Sequence, residues 1–248
     1  MGHRKFVIAA LAVLVMVAPR TAAASLIGPT PYLSSADSPF QGQSFSWFYV
    51  EDFEDGLFNT PGVTVSPLTA AIAVDGYTDS VDGDDGVIDG SGSGGHSLWS
   101  NFASSYFQFD FDMGTLGALP THVGLVWTDV GQVTSGQYGS SDVTFEAFDQ
   151  YGTTLGVIGP FLLGDGSISG QTAEDRFFGA VNGGGISRIV IRSPTTNDWE
   201  VDHLQYGLGV QPVPEPATSA LLLAGLGAMA SRKLRARIRA KAGSTSTL

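Results

Sequence analysis

From 106 to 112 the chain alternates without a break, with Phe107, Phe109 and Phe111 on one side and Gln108, Asp110 and Asp112 on the other. A side-chain period of two belongs to a strand with one face in a core and the other in water. Residues 123–127, 143–148, 153–158, 186–191 and 199–206 read the same way, separated by Gly, Asp, Pro and Ser. Asp149-Gln150-Tyr151-Gly152 has the residues of a tight hairpin turn. No window between 25 and 211 sustains a 3.6-residue period, and no blade-like repeat marks a propeller. The pattern predicts an all-β domain of about eight to ten antiparallel strands, a two-sheet β-sandwich of jelly-roll type.

The two ends follow other rules. Arg4 and Lys5 precede an apolar run over 6–17, then Pro19 and a small-residue stretch closing on Ala23 and Ala24. This is the composition of a signal peptide, 1–24, with cleavage after Ala24. At the other end Pro214, Glu215 and Pro216 lead into an apolar run over 217–231, followed by Arg232, Lys233, Arg235 and Arg237. Fifteen helical residues span about 22 Å against a hydrocarbon core of ~30 Å, a gap that snorkelling Arg and Lys can close. The expectation is a short transmembrane helix with its basic end in the cytoplasm. Pro-Glu-Pro, apolar helix and Arg-rich terminus, in that order over 212–248, resemble the PEP-CTERM sorting signal of Gram-negative bacteria. The resemblance implies processing by an exosortase, a membrane cysteine enzyme, through a transient inner-membrane intermediate. It further implies delivery to the cell surface or extracellular matrix in connection with extracellular polysaccharide. The domains expected are 1–24, 25–211 and 212–248.

Charge narrows the function of the middle region. Residues 25–211 hold 23 Asp and Glu against Arg176, Arg188 and Arg192, a formal charge of −20. Such a surface repels phosphate backbones, which excludes nucleic acid as a partner of this region. The chain has no cysteine, so disulfides, thiolate metal sites and thiol nucleophiles are excluded as well.

Two segments, 48–56 and 199–207, resemble the first and last strands of the jelly-roll modules of secreted carbohydrate-binding proteins. In those modules carboxylates of the end strands meet at a structural calcium, and the resemblance implies Glu54 and Asp202, with Asp52 as a further ligand. A second candidate is the acidic stretch 75–90, with Asp79, Asp82 and Asp84 spaced by glycine in a loop able to wrap Ca²⁺. It does not fit an EF-hand, because Val87 stands where the glycine belongs and Ser93 where the glutamate belongs. A solvated acidic loop remains the alternative.

Chemistry for catalysis is sparse. His96, His122 and His203 show no zinc spacing, and no Gly-x-Ser-x-Gly elbow is present. Carboxylate pairs such as Glu146 with Glu174 or Glu200 carry no information without distances. Trp99, after a Gly/Ser stretch, and Tyr138, in a Gly/Ser-rich loop, are candidate platforms for a sugar ring, with packing the competing role for Trp99. Trp47, Trp127 and Trp199 fall in strand patterns and are expected in the core. The sequence thus points to an exported, noncatalytic, calcium-stabilised sandwich associated with polysaccharide. Its rivals are a secreted glycan hydrolase and a purely structural biofilm or surface-layer component.

Overall fold

The computed structural model describes residues 23–73, 78–81, 95–133, 136–166 and 174–210, together with Gly225, residues 227–229 and Arg232. Residues 1–22 of the expected signal peptide, Asp82, Asp84, and Pro214, Glu215 and Pro216 lie outside the described residues. The chain forms two units, Met1–Gly209 and Val210–Leu248. In the second, Gly225, residues 227–229 and Arg232 are helical. No helix among the described residues is long and apolar enough to cross a membrane.

The first unit is a two-sheet antiparallel sandwich, as the alternation predicts. Its strands are β1 (Ser25–Pro31), β2 (Phe45–Glu51), β3 (Val63–Ser66), β4 (Ala71–Ala73), β5 (Ser97–Trp99), β6 (Tyr106–Phe111), β7 (His122–Val130), β8 (Ser141–Phe148), β9 (Thr154–Leu163), β10 (Arg176–Val181), β11 (Arg188–Arg192) and β12 (Trp199–Gly209). Sheet A runs β1-β10-β7-β12-β5-β4, with β2 also on β12, and sheet B runs β3-β6-β11-β8-β9. One turn of helix, α1 (Met113–Leu116), follows β6. Asp112 caps it, accepting from the Gly114 and Thr115 backbone N–H groups and the Thr115 hydroxyl, and these bonds hold its carboxyl below the ordinary value. The hairpin at 149–152 forms as read, with Asp149 Oδ1 accepting from the N–H groups of Tyr151 and Thr153 at 2.8 and 2.9 Å.

Between the sheets, Phe107, Phe109 and Phe111 of β6 face Leu125, Trp127, Phe178, Trp199 and Tyr206 of sheet A. Phe107 packs on Trp199 with ring centres 4.5 Å apart, and the Trp199 Nε1–H donates to the Ser104 carbonyl at 2.9 Å. Burial alternates residue by residue on β6 and β8, but β7 and β12 are buried along almost their whole length. The half-buried reading of 123–127 and 199–206 is therefore corrected, as is that of 186–191, where Ile189, Val190 and Ile191 are all buried, and of 153–158, where only Ile158 is buried. The segment 32–43 lies over the outer face of sheet A, where Tyr32 and Phe40 form a second core with Val81, Val126 and Phe177. A short 3-10 helix, Ser35–Asp37, stiffens that segment through a capping box between Ser34 and Asp37.

The sheet also begins earlier than the sequence suggested. The first strand is β1, not the segment at 48–56, and it pairs with β10 at the edge of sheet A. Its prolines, Pro29 and Pro31, hide the alternation and fit only an edge. The other sheet ends on β9, which pairs with β8 through two register shifts and carries Pro160 among the exposed side chains Val157, Phe161 and Leu162.

Phe107→Ala should cost about 3–5 kcal/mol, because it opens a cavity against Trp199 in a core that packs from both sheets. Tyr151→Ala, at the exposed hairpin tip, should stay within about 0.5 kcal/mol of the parent. Urea unfolding of the two variants checks both values, and equal losses would refute the assigned core.

Candidate functional site

Strand β12 pairs with β7 along one edge, while two strands share its other edge. β5 lies opposite Glu200 and Val201, and β2 opposite the stretch from Leu204 to Gly209. The vacancy between them falls at Asp202 and His203, where the register on β7 shifts and His203 takes a left-handed φ of 43°. Asp202 is fully buried there. It accepts from the Val81 N–H at 2.9 Å, the Ser80 hydroxyl at 3.2 Å and its neighbour's N–H, that of His203, at 2.6 Å.

Ser80 Oγ also lies 3.2 Å from Glu54 Oε1, so Glu54 and Asp202 approach the same hydroxyl. Glu54 further accepts from the His96 N–H at 2.6 Å and approaches His96 Nδ1 at 3.1 Å. Gly95 makes this approach feasible, since a side chain there would run into Ser80 and Glu54. Asp52 is turned to solvent and accepts from the Glu54 N–H at 3.2 Å. Among the described residues, no three His, Asp or Glu side chains converge on a geometry able to hold a metal ion. Of the alternative set, Asp79 is described. It is buried, and its N–H donates to Glu200 Oε2 at 3.0 Å beside the Ser97 hydroxyl at 2.5 Å. Burial pushes the Glu200 carboxyl up to about 8, against the lowering effect of the Ser97 bond.

A buried carboxyl pair also forms that no sequence pattern announced. Asp129, at the end of β7, and Glu174, just ahead of β10, are 5% and 7% exposed. Asp129 Oδ1 and Glu174 Oε2 are buried with no hydrogen-bond donor among the described residues, yet the two carboxyls lie within reach of each other. Two neighbouring carboxyls in the interior oppose each other's ionisation. Burial raises both groups, their mutual charge raises Glu174 further, and Asp165 adds to both. Asp198 adds to Asp129 and Asp79 to Glu174.

The nominated aromatics are linked through the backbone at Gln132 and the carboxylate of Asp198. Trp99 is half-buried on β5, and its Nε1–H donates to Asp198 Oδ1 at 2.9 Å. Asp198 Oδ2 accepts from the Gln132 N–H at 2.8 Å, and Gln132 is bridged to Tyr138, which is 55% exposed. Gly131 leaves room for this carboxylate, since a side chain there would collide with it. Packing and exposure therefore coexist at Trp99. One face meets Phe102 edge-on at 5.0 Å, and Phe102 itself is 54% exposed. Phe102 was not foreseen, because nothing in its local pattern separates it from a turn residue.

The turn that carries Phe102 is strained. Asn101 and Phe102 both hold left-handed φ values, 54° and 53°, which non-glycine residues rarely adopt. Side-chain amides fix them in place: Asn197 Nδ2 donates to the Phe102 carbonyl at 2.6 Å and Asn101 Nδ2 to the Thr69 carbonyl at 3.2 Å. Strain of this kind persists only where surrounding contacts impose it, and it concentrates at ligand-contacting surfaces.

The carboxyl pair sets a pH dependence. Raised folded-state values mean that the native state binds more protons than the unfolded chain, so this contribution is full below the unfolded carboxyl values near 4 and is lost as pH rises through the folded ones. One excess proton corresponds to about 1.4 kcal/mol per pH unit. The melting temperature should therefore fall between pH 5 and 9 at fixed ionic strength. Glu174→Gln, neutral at every pH, should flatten that slope and melt on the order of 5 °C above the parent at pH 9. Parallel curves for parent and variant would show that the pair does not set that slope.

Residues 212–239 match the family model described as the PEP-CTERM protein-sorting motif. No curated protein matches the chain. Among solved structures, the chain is similar to a xylan-binding domain from CBM 22, formally x6b domain, at 12% identity and a TM-score of 0.36 over 70% of this chain and 99% of that one. It is also similar to the N-terminal CBM22-1–CBM22-2 tandem of Xyn10C from Paenibacillus barcinonensis, at 10% identity and a TM-score of 0.37 over 71% of this chain and 49% of that one. The chain thus spans about half of that tandem. At its C-terminal end it carries a PEP-CTERM sorting motif, which marks it as an exported protein.

Proposed function

We propose that the protein is a noncatalytic, glycan-contacting module of the cell surface or extracellular matrix, released there after exosortase processing at Pro214, Glu215 and Pro216. The observation that carries this reading is the preorganised aromatic end. Trp99 is pinned by Asp198, Phe102 is held outward by a strained turn, and Tyr138 is tied to the same carboxylate through Gln132. Rigid exposed rings flanked by the amides of Asn101 and Asn197 suit a polymer that offers apolar ring faces and many hydroxyls. The buried carboxyl pair does not favour a hydrolase, because Asp129 and Glu174 are both closed off from solvent.

Affinity electrophoresis of the full-length protein in gels containing extracellular polysaccharide tests the reading. Trp99→Ala and Phe102→Ala should each weaken retention by about tenfold or more, the effect expected of a contact hot spot. Phe102→Ala should leave the melting temperature unchanged, since that ring is largely exposed. Retention equal to the parent in both variants would sink the proposal.

Calcium belongs to the same proposal as a structural ion. About 20 net negative charges repel one another in the folded state, and Glu54 and Asp202 already converge on Ser80. An ion bound only by the folded form at a hundredfold excess over Kd stabilises it by about 2.7 kcal/mol. Millimolar calcium should raise the melting temperature more than magnesium or sodium chloride at matched ionic strength. The calcium-specific increment should vanish in Asp202→Ala if the end-strand site binds, and in Asp84→Ala if the acidic stretch does. An increment that survives both changes, or that sodium reproduces, removes calcium from the account.

A further inference from the structure

A second surface, on the outer side of sheet A, has no part in the reading above. The segment 32–43 and strand β2 enclose a cleft of about 280 Å³ lined by Tyr32, Ser35, Gln41, Gln43, Phe45 and Phe48, with Gln205 at its inner end. In a domain with 23 acidic residues, none of the residues lining this cleft is charged. Its volume lies just below the range for small-molecule sites, about 300–1,000 Å³, which fits one small ring and not a chain of them.

The walls are fixed before any ligand arrives. Gln205, wholly buried on β12, accepts from the Ser38 hydroxyl at 2.5 Å and donates through Nε2 to the Tyr32 hydroxyl at 2.8 Å, and that hydroxyl also contacts His203 Nδ1 at 3.0 Å. This chain of bonds ties the covering segment to the central strand. Asp37 Oδ2 accepts from the N–H groups of Leu33 and Ser34, and so is committed to the turn. Phe45 and Phe48 pack at 4.8 Å, with Phe40 edge-on to both at 6.5 and 6.2 Å.

Two exposed amides are locked in the same way. Gln41 Nε2 donates to the Ser35 carbonyl and Gln43 Nε2 to the Pro39 carbonyl, each at 2.9 Å. Each glutamine is thereby held by its amide nitrogen, which leaves its amide oxygen as a positioned acceptor. The Ser35 hydroxyl adds a group that can donate or accept. Fixed acceptors beside aromatic rings, with no charge, select a ligand that is itself uncharged, rich in O–H donors and apolar on one face.

We infer that this cleft binds a single neutral pyranose unit, as a free sugar or the end of a glycan. The site is separate from the Trp99 end and does not require that end to bind anything. Glucose, galactose and mannose serve as probes, with glucuronate as the charged comparator, in saturation-transfer NMR and titration calorimetry on the full-length protein. At least one neutral sugar should bind at least tenfold more tightly than glucuronate. Gln41→Ala and Gln43→Ala, both exposed positions, should weaken it at least fivefold with an unchanged melting temperature. Trp99→Ala should bind the same sugar like the parent. Absence of binding by all three neutral sugars, equal binding of glucuronate, or unchanged binding in both glutamine variants would overturn the inference. Loss of sugar binding in Trp99→Ala would overturn it too, by moving the sugar to the aromatic end. Retention on polysaccharide that ignores Trp99 and Phe102 tells only against the function proposed above.

Discussion

Eleven residues of β12 must satisfy every backbone donor and acceptor without help from water, because both faces of that strand are covered. β7 does this along one edge. On the other, β5 serves the start of the strand and β2 its end, and the break between them is where the chain places its buried polar side chains. Buried Asp202, Ser80 and Glu200, with the exposed Glu54 beside them, fill or adjoin that break, so the carboxylates there are first of all partners for orphaned N–H and O–H groups. The cleft beneath segment 32–43 depends on the same strand, because Gln205 is the post to which Tyr32 and Ser38 are tied.

Charge is distributed with the same economy. Where carboxyls enter the interior they take backbone N–H groups, as Glu51 does with Phe53, Asn59 and Thr60, or they pair with one another, as Asp129 and Glu174 do. Neither arrangement needs a basic residue, which suits a domain with three arginines. Of these, Arg188 is paired with Asp110 at 2.6 Å and stacked over Phe148, and Arg192 lies over Tyr106. The folded unit therefore accommodates its interior carboxyls through backbone N–H groups and burial rather than through cationic side chains.

What the sequence disclosed follows from which residues alternate. On β6 and β8 one face meets the core and the other water, so Phe107, Phe109 and Phe111 announced β6 and the 149–152 turn announced its hairpin. Sheet A was less legible, because Tyr32 and Phe40 cover its outer face from a segment with no periodicity, and Pro29 and Pro31 disguise β1. Among the site residues, Glu54 and Asp202, nominated from the two end segments, both approach Ser80, while Asp52 turns to solvent. Trp99 and Tyr138 were read from their glycine-rich surroundings, and the carboxylate that joins them, Asp198, was not. Phe102, Asp129 and Glu174 gave no signal, since a strained turn and a buried carboxyl pair are properties of three-dimensional neighbours.

Strand β9 closes sheet B with an edge that carries Val157, Phe161 and Leu162 in the open. An edge of that kind invites another copy to add a strand, above all where an exported protein accumulates in a crowded layer. Pro160 removes one backbone donor from the row, and the two register shifts against β8 bend the rest out of line. The consequence is colloidal. Copies can reach high local concentration without zipping edge to edge into a continuous sheet, and so stay a solution of separate molecules.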